Sequence, residues 1–394
     1  MNTFDSNASD QRKTMNGIVK YHPVVEVLAK MIKDKKWTDK FDTAIRSACG
    51  KQVPLLKDVQ NAESYLLWMS NFLYWVPSEN SLGQVVNDHL SAFYYIADQE
   101  PVLSLQNKVI PHDEPLPLTP FSQWLVDYTN AMGAFLDTPQ SLTRESEQSF
   151  YDSPAYNMKE YVRPHGGWKS FNQFFARHFK PGLRPIAAIS DPTVIVMPAD
   201  STFGGQWEIR SDSHVTVKNL NWKISELLSG SPYKNRFDNG LFMHTFLSPT
   251  DYHRQHAPVG GKVIEARVIP GQVYLEVEAV PIPELPGQHH LSLKKNFDSM
   301  DTPGYQFAQS RALIILDTPI GLVAILPIGM CQVSSVILTA EVGVTVRKGE
   351  ELSYFQFGGS DCILLFEASA NVCFSAQRTL HYKMGAKIAQ AYPV

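Results

Sequence analysis

The sequence predicts an α+β protein in which a helical N-terminal module leads into a β-rich domain. Up to about residue 180, apolar residues recur every three and four positions, the repeat of one helix face. From about residue 190 they come instead in short β-branched runs, most of them bounded by Gly or Pro. The chain's 394 residues, 44% hydrophobic and 19% charged, suffice for two or three modules with a sizeable core and do not fit a disordered polypeptide.

In the first half, Val24, Val25, Val27, Leu28 and Ile32 share one helical face, and Trp124, Leu125, Tyr128, Met132 and Phe135 share another. The most apolar stretch, Tyr65 to Val76, reads as a buried helix. Ser70 and Asn71 interrupt it, it falls short of the ~18 apolar residues a membrane span needs, and it has no Lys or Arg for the polar face of an interfacial helix. Pro54, Pro77, Pro111, Pro115, Pro117 and Pro120 break the helical runs, the last four as a Pro-rich connector. We bound this module at residues 1–165 and expect a cap, an oligomerisation element or a cover over the substrate.

In residues 166–394, strands are expected over Thr193–Met197, His214–Val217, Lys262–Val268, Val273–Val277, Ala312–Leu316, Leu322–Leu326 and Val333–Thr339. Gly260-Gly261, Pro270-Gly271 and Pro319-Ile320-Gly321 punctuate them, as hairpins of a sheet wrapped on itself require. Pro281 to Asp301 has neither period and reads as a lid or binding loop.

With 35 Lys+Arg against 39 Asp+Glu, the formal charge of −4 excludes a partner held by a basic surplus, so no nucleic acid is expected. Cys49, Cys331, Cys362 and Cys373 are too scattered for a disulfide framework. The first twenty residues lack the apolar core of a secretory signal, and a cytoplasmic location without membrane engagement is the expectation.

Three short constellations carry chemistry. Phe357-Gly358-Gly359-Ser360-Asp361-Cys362-Ile363-Leu364-Leu365-Phe366 is a turn feeding an apolar strand, and by itself would be an ordinary hairpin. Asp251-Tyr252-His253-Arg254-Gln255-His256-Ala257-Pro258 places two histidines three apart, the side chains whose pKa lies nearest neutrality. Pro198-Ala199-Asp200-Ser201 sets an Asp after a β run, where most such residues only cap a turn.

Together and in this order, the three resemble the P-A-D, D-Y-H-R-x-H-x-P and G-S motifs of the phosphatidylserine decarboxylase family of pyruvoyl enzymes. Phe174-Phe175-Ala176-Arg177, Lys180-Pro181-Gly182, Arg184-Pro185 and Val346-Arg347-Lys348-Gly349-Glu350-Glu351-Leu352 extend the likeness over residues 170–367. Three positions depart from the family pattern: Ser201 replaces a Gly, Asp361 replaces a Ser or Thr, and Gly260 replaces an Asp or Asn.

The resemblance implies that Ser360 attacks the Gly359 carbonyl, that an acyl shift and elimination sever the chain between them, and that hydrolysis leaves a pyruvoyl group on the small fragment. It implies His256 as the base, Asp200 as the residue holding its tautomer, and His253 as the acid returning a proton to carbon. Covalently attached pyruvoyl then forms a Schiff base with the substrate amine and accepts the electrons released with carbon dioxide, so neither pyridoxal phosphate nor a metal is expected. The fragments, residues 1–359 and 360–394, are expected to stay associated, because Cys362–Phe366 reads as a buried strand.

The helical first half is more similar to the soluble tryptophan decarboxylases of the same superfamily than to membrane-anchored members. On that ground the expected substrate is a free aromatic amino acid such as tryptophan, with phosphatidylserine, converted to phosphatidylethanolamine, as the alternative. A different class, a non-catalytic lipoyl- or biotinyl-like carrier, is suggested by the hairpin-like Val342–Leu352; it needs a modifiable Lys, for which Lys383 beside Met384 is the nearest match. Oligomeric state is open. His289-His290 lacks a third ligand at metal-site spacing.

Overall fold

A computed structural model describes residues 20–112, 116–217, 220–282, 287–293, 304–329, 335–357 and 360–394. Helices α1 (Pro23–Asp34), α2 (Thr38–Cys49), α3 (Ala62–Phe72), α4 (Val85–Ala97), α5 (Pro120–Leu136), α6 (Arg144–Asp152) and the short α7 (Phe171–Phe175) come first. Most start where the sequence supplies a side-chain acceptor for orphan amides; α2, after Trp37, does not. Thr119 caps α5 through Ser122 N, with Pro120 opening the first turn, and Asn61/Ser64 and Thr143/Ser146 form reciprocal capping boxes on α3 and α6. The Tyr65–Val76 run is helical only to Phe72.

The second half contains β1 (Val194–Val196), β2 (Ser201–Glu208), β3 (His214–Val217), β4 (Leu220–Lys223), the single-turn α8 (Ile224–Leu227), β5 (Leu241–Leu247), β6 (Arg254–His256), β7 (Gly261–Ile269), β8 (Val277–Pro281) and β9 (His289–Leu293). There follow β10 (Arg311–Thr318), β11 (Gly321–Gly329), β12 (Val336–Leu338), β13 (Thr345–Val346), β14 (Glu351–Phe355), β15 (Ser360–Phe366), β16 (Val372–Phe374), β17 (His381–Tyr382) and β18 (Lys387–Ala391). An eight-stranded antiparallel sheet runs β13-β7-β10-β11-β15-β5-β2-β17. Strand β15 lies inside it, so Ser360 sits between Gly329 and Leu247.

β15 is buried along its whole length. Cys362, Leu364 and Phe366 enter a core that also holds Val25, Phe93, Trp124 and Tyr128 of the helices; Ile363 and Leu365 face a second cluster with Trp222, Phe242 and Ile315. The two halves therefore share one continuous apolar core. Strand β6, carrying the histidine motif, pairs with β14 in a separate small sheet.

Two expectations need correction. Val273–Val277 is not a strand: only Val277 belongs to one, and Gln272 makes an isolated bridge to Gln309. The Pro281–Asp301 segment contains half of a regular hairpin, β8 against β9, while residues 283–286 and 294–301 lie outside those described. His289 is tied to the helical half, its Nδ1 2.8 Å from the Lys51 carbonyl, so the hairpin is docked rather than free. Among the described residues no helix is long and apolar enough to cross a membrane.

Candidate functional site

Ser360 opens β15, fully buried, and its Oγ has no hydrogen-bond partner among the described residues. A buried hydroxyl without a partner forfeits about 1–3 kcal/mol; Ser91 and Ser153 share that condition, and Ser360 differs from them in following Gly358-Gly359. Gly359, the other side of the expected cut, lies outside the described residues. Asp361 points to the opposite face, where its Oδ2 accepts from Tyr305 Oη (2.8 Å) and Gln306 Nε2 (3.0 Å) and lies 3.1 Å from His244 Nε2.

His253 is fully buried, and among the described residues no side chain bonds its ring nitrogens; the Asp251 and Ser248 backbone are the polar groups that act on the ring. Both of its neighbouring strands lead to Ser360. Its carbonyl accepts from Phe355 N at the end of β14, and the turn preceding it begins after Leu247, the residue that pairs with Ser360. The ring stacks on Phe175 with centroids 3.8 Å apart. Burial, reinforced by the Arg177 charge, holds its pKa well below the ordinary imidazole value, so it is neutral at pH 7.

Arg177 itself is buried across the face of Tyr161, 4.2 Å from the ring centre, and donates from Nη2 to the Thr250 carbonyl (3.0 Å), fastening the turn that carries His253. The sequence placed Arg177 only in a supporting motif; its role in holding this turn is a tertiary fact that spacing does not reveal.

His256 occupies a different network. Its Nδ1 is 2.8 Å from the Gly349 carbonyl, and Nε2 is 3.0 Å from Tyr252 Oη. A carbonyl only accepts, so Nδ1 carries the hydrogen and Nε2 keeps the lone pair that a base requires. Burial lowers its pKa, partly offset by that same carbonyl.

The expected Asp200–His256 hydrogen bond is not formed. Asp200 accepts two bonds from Arg184 Nε (2.9 and 3.1 Å), one from Arg184 Nη2 (2.6 Å) and one from Met384 N (2.8 Å), which uses its carboxylate fully. Gly349 does the tautomer-setting that the resemblance assigned to Asp200, because the pairing of β6 with β14 brings the Gly349 carbonyl, not Asp200, to the imidazole. Arg254 is structural in its contacts, bridging the Glu351 carboxylate (2.8 and 2.9 Å) and the Ala176 carbonyl, whereas Tyr252 meets the imidazole of His256.

Between the two halves lies a cavity of about 520 Å³ lined by residues that include Trp168, Asn172, Arg177, His178, Arg254 and Tyr354. It combines aromatic walls with guanidinium groups. No cluster of three metal-ligating side chains occurs among the described residues. Lys383, which a carrier domain would need free at a hairpin tip, has its Nζ 3.4 Å from Glu160.

Comparison with known proteins agrees with the motifs. The family profile described as Phosphatidylserine decarboxylase matches residues 171–390. Phosphatidylserine decarboxylase proenzyme 3 of Schizosaccharomyces pombe is 34% identical over 213 residues, 54% of this chain and 20% of that protein. The Phosphatidylserine decarboxylase proenzyme of Fusobacterium nucleatum is 32% identical over 236 residues, 60% of this chain and 71% of that protein. Proenzyme 2 of rice is 30% identical over 243 residues, and the chain spans 36% of its length. These relatives overturn the expectation of a free aromatic amino acid as substrate: they are named for the phospholipid. The expectation rested on an N-terminal half unlike a membrane anchor, and the way a protein is tethered does not determine what its pocket accepts.

Proposed function

Because this chain belongs to the phosphatidylserine decarboxylase family, we propose that it is a self-processing decarboxylase that converts phosphatidylserine to phosphatidylethanolamine. The observation that carries the reading is Ser360: a buried, unpartnered hydroxyl at the first position of an interior strand, directly after a Gly-Gly pair. The residues fit a pyruvoyl group made from it, since a hydroxyl with no competing partner is free to attack the preceding carbonyl. Once formed, that group supplies an electron sink for the bond to the departing carboxylate.

The chain's own residues do the rest. His256, with Nε2 unprotonated, takes the hydroxyl proton during maturation once Tyr252 releases it. Asp200 serves at a distance by clamping Arg184 and Met384 N, which ties the P-A-D turn to the C-terminal fragment. His253, neutral at rest, takes up a proton as negative charge develops beside it and passes that proton to the substrate carbon in place of carbon dioxide. The relatives' being named for the phospholipid supports phosphatidylserine over a free amino acid as the substrate.

The test is direct. The purified wild type should run as residues 1–359 and 360–394, the smaller with a blocked N-terminus, and release carbon dioxide from phosphatidylserine vesicles. Ser360→Ala should remain a single inactive chain. Full activity in an uncut wild type overturns the reading.

A further inference from the structure

The helical N-terminal module has no assigned part in the chemistry, yet its Asp137 reaches the scissile segment, directly at Gln356 and by way of Asn172 at Phe357. Asn172, on α7 and 3% exposed, accepts at Oδ1 from the amide of Phe357 (3.2 Å), two residues before Gly359. Its Nδ2 donates to Asp137 Oδ1 (2.9 Å) and the Gly133 carbonyl (3.2 Å), both at the C-terminal end of α5. Asp137 and Gly133 offer only acceptors and the Phe357 amide only a donor, so the orientation of the Asn172 amide follows from its partners. Asp137 also receives Gln356 Nε2 at 3.4 Å.

Rings reinforce the connection. Phe357 packs edge-on against Phe171 (5.1 Å) and Phe175 (5.5 Å) of α7, and lies 6.1 Å from Trp75 of the helical half. Phe175 is the ring that stacks on His253. One five-residue helix therefore grips the segment before the cut on one side and the histidine turn on the other, and Asn172 anchors it to α5.

We infer that Asp137 and Asn172 form a positioning pair through which the N-terminal half holds the Gln356–Phe357 segment in register for self-cleavage. Attack by Ser360 needs the Gly359 carbonyl at a defined angle, and the intervening glycines impose none. Restraint must come from the residues before them. Phe357, held at its amide and its ring, is the last described residue before those glycines.

The inference rests on the self-cleavage proposed above, and the experiment separates the two. Wild type, Asp137→Asn, Asn172→Asp and the exchanged double variant are synthesised as full chains by cell-free translation, and cleavage is followed over time on gels. Asn172→Asp sets two carboxylates against each other and should slow cleavage about tenfold or more, the effect of one lost charge-assisted hydrogen bond. Asp137→Asn should slow it only about two- to threefold, because the new amide oxygen still accepts. The double variant restores a donor facing an acceptor and should recover at least about threefold over Asn172→Asp. Unfolding temperatures measured in a Ser360→Ala background report folding independently of cleavage. A wild type that never cleaves defeats the proposed function. A cleaving wild type whose Asn172→Asp variant folds and matches its rate, or whose double variant is no faster than Asn172→Asp, overturns the positioning pair.

Discussion

The carboxylate of Asp200 and the guanidinium of Arg184 meet in a side-on pair with contacts of 2.6, 2.9 and 3.1 Å, both side chains almost wholly out of water. Neutralising Asp200 leaves Arg184 with Glu160 (2.8 Å) as its remaining counter-ion, so the loss stays below the about 3–5 kcal/mol of a stranded buried charge. Asp200→Asn should accordingly lower the unfolding temperature of the Ser360→Ala protein by several degrees while leaving the titration midpoint of His256, followed by NMR, essentially unmoved. A large shift of that midpoint would return Asp200 to the imidazole.

The two histidines should separate in function. His253→Ala should still cleave, because no hydrogen bond among the described residues joins its ring to His256 or Tyr252, but should lose turnover by about 10²–10⁴, the usual worth of a positioned proton-transfer group. His256→Ala should accumulate uncut chain. Gels and carbon dioxide release on the same preparations read both, and equal loss of both activities in His253→Ala would show that one imidazole serves both steps.

Acidity should favour the helical half. Burial, with Glu79 nearby, raises the Asp88 pKa from an unfolded value near 3.8 to about 6. The folded state therefore holds a proton that the unfolded state has released, so the stabilisation is complete below about pH 4 and is lost as pH rises through about 6. Asp88→Asn should raise the unfolding temperature at pH 7 and leave it nearly unchanged at pH 4. A variant that is no more stable than wild type at neutral pH would contradict this.

Leu364 fills the main core from the middle of β15. Leu364→Ala should destabilise by about 2–5 kcal/mol, measured by denaturant unfolding in the Ser360→Ala background. Cys362→Ser on the same face should also destabilise, because the hydroxyl would enter a site that burial already makes hostile to a charged thiolate.

The motif residues were legible because chemistry constrains their order, and the helices of Val24–Ile32 and Trp124–Phe135 because apolar residues recur every three and four positions, although Val27, counted on the first face, is 52% exposed. Strand β5, Leu-Phe-Met-His-Thr-Phe-Leu, was not: His244 and Thr245 interrupt its apolar run, and only the structure shows that His244 turns toward Asp361 while Thr245 bonds the Thr202 carbonyl. Likewise, nothing in the spacing of Asp200 and His256 could show that Arg184 would claim the carboxylate first. Partner choice among several charged groups is decided by how strands and turns stack, and a one-dimensional string does not record that.

Because β15 is hydrogen-bonded on both flanks, severing the backbone just ahead of Ser360 would create a chain end inside a finished sheet. Such an end cannot fray or swap partners without unzipping the seams to β11 and β5. His381 against Asp251 and Met384 N against Asp200 add further stitches from the same tail. Maturation would thus work like cutting one thread in a woven cloth: the fabric keeps its shape, and the loose tip it creates stays where the weave put it.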